Sequence, residues 1–191
     1  APPYLIKVSH GFGSNIFIHR REDIDEKKIR AALDQRLRHP HGRSGREWGY
    51  YDIPRKILIE RMLETPKGKS PDDYKFFVYH GRVHFIQIDA DRRGLHKRAF
   101  YDRNWNKLPM TSPYPVIERP ILMQPYLGEM TGIAEKIGAL FDFVRVDLYH
   151  ESDKVWFGET TFYPGGGYLR ISPDIWGRRL GEPWNLPAGD K

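Results

Sequence analysis

The sequence predicts an α+β fold built mainly from antiparallel strands. Three observations carry that expectation. Short apolar segments with period-2 alternation recur at residues 4–8, 15–19, 74–79, 83–89, 143–149 and 155–161, several of them paired across short turns. Two longer segments repeat apolar residues at helical spacing. Strands and helices are mixed, without the regular strand–helix alternation of a parallel sheet.

Taken in order, Tyr4 to Val8 reads as a strand and Asn15 to His19 as its partner, across Ser9-His10-Gly11-Phe12-Gly13-Ser14. Asp23-Ile24-Asp25-Glu26 reads as a capping box opening a helix, with Ile29, Leu33 and Leu37 on one face. The stretch from His39 to Glu47, rich in Gly, His and Arg, is a loop, and Lys56 to Leu63 alternates weakly as a strand. Lys67-Gly68-Lys69-Ser70-Pro71 is a turn. Two strands flank His80-Gly81-Arg82 as a hairpin. A further turn lies around Asn104, and a proline-rich connector runs from Met110 to Pro125. Leu127 to Leu140 is helical, with Met130, Ile133, Ala134 and Ile137 on one face. The tail from Tyr168, rich in Gly, Pro and Trp, reads as irregular. No internal repeat or low-complexity tract is present.

At 191 residues the chain makes one large domain or two small lobes with a real core. It is 39% hydrophobic and 14% aromatic, as a globular protein is, and no apolar run approaches the roughly 20 residues of a membrane span. No secretory pattern opens the sequence. Ala1-Pro2-Pro3 runs straight into a strand without an initiator Met, the start expected of a trimmed form or a fragment. The lack of cysteine excludes disulfides, thiolate chemistry and Cys-ligated zinc, and fits a reducing cytoplasm. The net charge of +6 is dispersed, each cation usually near an acid. That pattern suits polyphosphate better than nucleic acid, which is not an expected partner.

The most informative segment is Phe143-Val144-Arg145-Val146-Asp147-Leu148-Tyr149 followed by Val155-Trp156-Phe157-Gly158-Glu159-Thr160-Thr161. Alternation puts Arg145, Asp147 and Tyr149 on one face, and Glu159 with Thr161 on the partner strand. Pairing centred on Asp153 sets Asp147 opposite Glu159. Like charges so placed are destabilising unless a cation lies between them, which makes the two acids a clamp for a hard divalent ion. Spacing alone also fits a solvated polar face. Lys7 with Gly11, Gly13 and Ser14 forms a second candidate: glycines let backbone N–H groups approach an anion, and the Lys adds a point charge. A structural hairpin loop would look the same. Third, an apolar strand ends in Glu60-Arg61-Met62-Leu63, with Asp73 and Lys75 following; an amphipathic edge strand is the plainer reading. Fourth, Asp89 and Asp91 share a face if their strand continues, and Arg92 follows, suited either to a substrate oxyanion or to a salt bridge. His39 and His41 give no zinc signature. The five tryptophans read as core, with Trp176 or Trp184 also open as a sugar platform.

Arg145-x-Asp147 followed by Glu159-x-Thr161-x-x-Pro164-Gly165 resembles the closing motif of the ATP-grasp superfamily, with Thr161 where that family usually has Asn. A hydroxyl is a weaker oxygen donor than an amide carbonyl. From Tyr4 to about Gly181 the order of features resembles the TupA-like branch. Particular matches are Asp73-Tyr74-Lys75-Phe76-Phe77 with Gly81, Phe85-Ile86-Gln87-Ile88-Asp89 with Asp91-Arg92, and Phe100-Tyr101-Asp102 with Trp105.

The resemblance implies two α+β lobes, 1–62 and 63–191, gripping a nucleotide, with a further N-terminal lobe of the family absent here. It implies ATP and Mg²⁺ as cofactors. Lys7 and Lys75 would hold the phosphates under the Gly11, Gly13 and Ser14 loop. The linker at Glu60, Arg61 and Leu63 would read adenine, and Asp73 the ribose. Asp147, Glu159 and Thr161 would stand at the metal, with Arg145 and Arg92 catalytic. The implied activity is ATP-dependent carboxylate–amine ligation through an acyl phosphate, in teichuronic acid, capsule or other surface-polysaccharide biosynthesis. Its partners would be a small carboxylate and an amine or sugar-linked acceptor, with peripheral association with polysaccharide assembly. Metal-dependent glycosyl transfer and non-catalytic ATP binding remain alternatives.

Overall fold

The computed structural model describes residues 2–11, 13, 15–43, 45–63, 70–92, 94–123 and 125–185. The chain divides into two compact units, Ala1–Leu63 and Glu64–Lys191. Both sheets are antiparallel, as the sequence predicts.

The first unit has strands β1 (Tyr4–Val8), β2 (Ile16–Ile18) and β3 (Ile57–Arg61) in the order β2-β1-β3, with helix α1 (Glu26–Arg38) between β2 and β3 in the chain. Alternation along β1 decides its two faces. Ile6 and Val8 bury with Ile18 and Leu33, and Ile29 and Leu37 of α1 pack against them. Lys7 falls on the opposite face. The helix cap is Asp25, whose side chain accepts from Lys28 N at 3.0 Å. Asp23 instead accepts from His19 N at 2.8 Å and Arg20 N at 2.9 Å, and closes a 3-10 turn, Arg21–Asp23. The expected box at Asp23 is therefore displaced by two residues. An acid in a short local turn competes with the helix for backbone donors, and here the turn takes it.

The second unit has β4 (Asp73–Tyr79), β5 (Arg82–Ala90), β6 (Lys97–Asp102), helix α2 (Leu127–Gly138), β7 (Phe143–Glu151), β8 (Lys154–Thr161) and α3 (Asp174–Gly181). The strand order is β6-β5-β4-β7-β8, which makes β4 central, and every residue of β4 is buried. Tyr74, Phe76 and Val78 join Ile86, Ile88, Val144, Val146 and Leu148 beneath Met130 and Ala134 of α2. The helix lies close: a Cβ at Gly138 would stand 2.2 Å from Val78 Cγ1. The other face of β4 carries Asp73, Lys75, Phe77 and Tyr79. Its apolar end packs with Phe143 and Leu169, and its polar end forms the site described below.

Two hairpins turn on adjacent left-handed residues, His80 and Gly81 (φ 47 and 76) and Ser152 and Asp153 (φ 52 and 57). The second turn is centred between Ser152 and Asp153, not on Asp153 as expected. A regular count from that turn would pair Asp147 with Gly158. The register shifts between Asp147 and Leu148, so that Leu148 faces Phe157 and Asp147 faces Glu159. Gly158 is the extra residue of a β-bulge. A Cβ there would stand 2.8 Å from Tyr149 Cε2 and 3.0 Å from the Asp147 carbonyl oxygen.

Two further expectations are corrected. β5 ends at Ala90, and Asp91 enters a turn with φ 52 whose carbonyl accepts from Gly94 N at 2.9 Å. Asp89 and Asp91 therefore do not share a strand face. The tail is not irregular throughout, because α3 forms there. Trp176 and Leu180 of that helix pack on Phe100, Met110 and Ile171, and this packing outweighs the poor helix propensity of Gly177. Trp184 lies on Phe143 and donates to Asp142 Oδ2 at 3.1 Å, and it remains 39% exposed. The Lys67-Gly68-Lys69 turn lies outside the described residues.

Gly158→Ala is expected to destabilise the second unit by about 1–3 kcal/mol, the usual cost of inserting a methyl into a packed contact. Denaturant midpoints for parent and variant measure this; an unchanged midpoint would mean that the bulge does not require glycine.

Candidate functional site

β7 and β8 bring Arg145, Asp147, Glu159 and Thr161 onto one patch of the sheet face turned away from α2. Asp147 is 1% exposed, whereas the Glu159 side chain is 56% exposed. Arg145 lies among the other three. Its Nε donates to Asp147 Oδ1 at 2.7 Å and its Nη2 to Asp147 Oδ2 at 2.7 Å, a two-pronged charge-assisted pair. The same Nη2 donates to Thr161 Oγ1 at 2.9 Å and reaches Glu159 Oε1 at 3.5 Å. Burial works against the Arg145 charge, but the facing Asp147 outweighs it and holds the guanidinium pKa above its ordinary value. The two acids thus stand opposite each other with an internal cation between them.

Beside this cluster, β4 contributes a second layer. Lys75 sits across from Asp147, and its Nζ donates to Asp147 Oδ2 and, at 2.6 Å, to Asp73 Oδ2. Arg92, just past β5, donates from Nη1 to the same Asp73 oxygen at 2.7 Å. Asp73 is fully buried, and its Oδ1 has no hydrogen-bond partner. Burial pushes the Asp73 carboxyl pKa up, against the pull of Lys75. Three acids, Asp73, Asp147 and Glu159, are thus matched by Lys75, Arg92 and Arg145.

Asp89, expected as a site acid, belongs to a separate arrangement. Arg98 donates to it from Nε at 2.6 Å and Nη2 at 3.1 Å, and Gln87 Nε2 lies 3.1 Å from both carboxylate oxygens. Although burial works the other way, Arg98 holds the Asp89 carboxyl below its ordinary pKa. Arg98 was not legible as a partner, because it pairs across β5 and β6 rather than within one strand.

The first unit holds the remaining candidates. Lys7 Nζ meets Glu60 Oε2 at 2.8 Å on the β1–β3 face away from α1. Arg61 follows on the other face of β3 and is exposed, and Leu63 lies just beyond the strand. Gly13 takes φ +72 in open space, while a Cβ on Gly11 would stand 2.8 Å from His41 Nδ1. Gly11 thus serves a close packing contact as well as any approach of an anion. Ser14 lies outside the described residues.

The chemistry available at the hairpin follows from its donors. Asp147 and Glu159 offer hard oxygens on either side of a cation. Among the described residues no group of three or more His, Asp or Glu is placed to hold a metal ion. Further ligands for a divalent ion must then come from phosphate oxygens and water, the usual manner of Mg²⁺ binding. The residues fit Mg²⁺ carried with a phosphate ligand, and not a closed metal cage.

Lys75→Met removes the ammonium shared by Asp73 and Asp147 and is expected to destabilise the fold by about 3–5 kcal/mol at neutral pH. The Asp73 carboxyl, already raised by burial, would then stay protonated in the folded chain at pH values where the unfolded chain has ionised. The variant's stability should therefore fall as pH rises above the ordinary carboxylate range, more steeply than the parent's. Urea midpoints across mildly acidic to neutral pH measure this; equal slopes would contradict the assigned contact.

The family model for TupA-like ATPgrasp matches residues 3–185. No curated protein sequence matches the chain. Similar solved structures include the ATP-grasp ligase PsnB, complexed with a phosphomimetic variant of minimal precursor, Mg and ADP. It is 10% identical at a TM-score of 0.44, over 95% of this chain and 47% of that one. D-Alanine-D-alanine ligase from Helicobacter pylori is 16% identical at a TM-score of 0.47, over 98% of this chain and 50% of its own. The corresponding ligase from Bacillus anthracis is 14% identical at 0.41, over 83% and 43%. The chain thus spans about half the length of the first two of these proteins. The family match takes in every strand and helix described above, and the chain belongs to the TupA-like ATPgrasp family.

Proposed function

We propose that this chain binds ATP with Mg²⁺ and serves an ATP-dependent ligation of the carboxylate–amine type in surface-polysaccharide biosynthesis. The observation that carries the reading is the placement of Asp147 opposite Glu159 around Arg145, in a chain of this family. In such a ligation a substrate carboxylate oxygen attacks the γ-phosphorus, and the bond to the bridging oxygen breaks with its electron pair leaving on ADP. An amine then attacks the acyl carbon, phosphate departs with the C–O electron pair, and the nitrogen gives up its proton to solvent. Bound Mg²⁺ would neutralise charge on the phosphate oxygens.

The chain's own residues would act as follows. Asp147 and Glu159 would hold the ion, and Lys75, which donates to Asp147 Oδ2, would orient that carboxylate beneath it. Thr161 Oγ1 accepts from Arg145 and would position that guanidinium rather than serve as the main third ligand. Arg145 would turn its planar fork onto the oxygens of the transferring phosphoryl group, where charge develops. Arg92 would meet the substrate oxyanion. Lys7 and the loop at Gly11, Gly13 and Ser14 would contact phosphate, and Glu60, Arg61 and Leu63 the adenine edge. The unpartnered Asp73 Oδ1 is an acceptor that a ribose hydroxyl would satisfy.

MgATP is expected to raise the melting temperature, with a gain of about 2.7 kcal/mol at 100 times Kd, whereas Mg²⁺ alone should produce no shift because the acids need phosphate to complete the coordination. No shift with millimolar MgATP would count against the reading. With a true acceptor present, Arg145→Lys should leave ATP affinity little changed and lower turnover on the order of 10²-fold, as losing one oxyanion donor does. Unchanged turnover would move Arg145 from chemistry to structure.

A further inference from the structure

A second polar site lies in the first unit, on the side of β1 that α1 covers. His10 follows β1 and is 3% exposed. Its Nε2 lies 3.2 Å from the carbonyl oxygen of Arg36 and 3.2 Å from that of His39. Two carbonyls can only accept, so Nε2 carries the proton, and in the neutral ring Nδ1 is a bare acceptor. That buried Nδ1 has no hydrogen-bond partner. His10 lines an open cleft of about 330 Å³ together with Gly11, Arg36, His39 and His41. A second hollow, about 510 Å³, adjoins it at His39 and His41 and adds Arg43 and Glu47, whose Oε2 lies 3.9 Å from His41 Nε2.

The formal charge lining the first cleft is that of Arg36, and in the adjoining hollow Glu47 accompanies Arg43. The negative end of α1 is already answered: His10 takes the carbonyl of Arg36, and Arg55 Nη1 donates to those of Leu37 and Arg38 at 2.9 and 3.1 Å. Among the described residues, the Arg36 guanidinium makes one long hydrogen bond, of 3.5 Å to the Gly13 carbonyl. An occupant must therefore donate a hydrogen bond to His10 Nδ1 and present negative charge to Arg36. Val8, which also lines the cleft, and Lys7 point to opposite faces of β1, so this cleft is distinct from the Lys7–Glu60 pair.

The geometry points to a binding site for a small hydroxylated oxyanion, carboxylate or phosphate, in this cleft. The site shares Gly11 with the loop assigned above to nucleotide phosphate, but it lies on the α1 side of β1 and does not use Lys7. Its occupant would lie against Gly11 and Arg36 and so tie the glycine loop to the end of α1.

The test follows the His10 ring by ¹⁵N NMR in the full chain while gluconate, glycerol 3-phosphate, glycerol or sulfate is added. The free protein should show the Nε2–H tautomer. Gluconate and glycerol 3-phosphate should shift the Nδ1 resonance saturably, and the tighter of the two identifies carboxylate or phosphate as the natural group. Glycerol, which lacks the charge, and sulfate, which lacks an O–H donor, should each bind roughly tenfold more weakly. Arg36→Gln, at an exposed position, should weaken binding of both probes by roughly tenfold, and Lys7→Gln should not. No shift with either hydroxylated oxyanion at millimolar concentration would overturn the site. So would equal binding of glycerol, equal binding of sulfate, or sensitivity to Lys7→Gln without sensitivity to Arg36→Gln.

Discussion

A lysine ammonium enclosed between two carboxylates governs the polar face of the second unit. Lys75 lies on the central strand, buried on both sides, and reaches Asp73 on its own strand and Asp147 on the next. Removing such charges from water is expensive, and their mutual attraction roughly offsets that cost without adding much net stability. The arrangement is better understood as a fixing device. With Lys75 on one oxygen and the Arg145 fork across both, Asp147 has little freedom to rotate. Glu159, more than half exposed and reached at 3.5 Å by both Arg145 and Thr161, is the adaptable member of the pair. One rigid and one adaptable acid make a reasonable grip for an ion that arrives with its own phosphate ligands.

That polar face depends on the apolar one. The period-2 pattern of β4 sends Tyr74, Phe76 and Val78 under α2 and leaves Asp73 and Lys75 opposite. A slip of one residue would exchange the two sets, placing charges beneath Met130. The core therefore holds the register of the acids, and the Gly158 bulge makes the final adjustment that sets Glu159 opposite Asp147.

Much of this was legible in the sequence. The alternation of Arg145, Asp147 and Tyr149 and the apolar spacing of Ile29, Leu33 and Leu37 are local patterns, and local patterns survive into the fold. The opposition of Asp147 and Glu159 was anticipated for a partly mistaken reason: a turn centred on Asp153 gives the same pair as a tighter turn plus a bulge. A bulge depends on the contact between Gly158 and Tyr149, which no count along one strand can show. The short helix α3 escaped because its stability comes from packing of Trp176 and Leu180 on distant residues rather than from propensity. Asp25 rather than Asp23 caps α1 because two nearby acids competed for different donors. The partners of Lys75 and Asp89 were hidden for the same reason as the bulge. Lys75–Asp147 and Asp89–Arg98 each join different strands, and His10 owes its tautomer to carbonyls at the far end of α1.

The central claim is that Asp147 and Glu159 bind a divalent ion only together with a nucleotide's phosphates. Calorimetric titration of ATP with and without Mg²⁺, in the parent and in Asp147→Asn and Glu159→Gln, tests it most directly. The account predicts that Mg²⁺ strengthens ATP binding to the parent and that either substitution abolishes this gain while the protein stays folded. Equal enhancement by Mg²⁺ in all three proteins would contradict it.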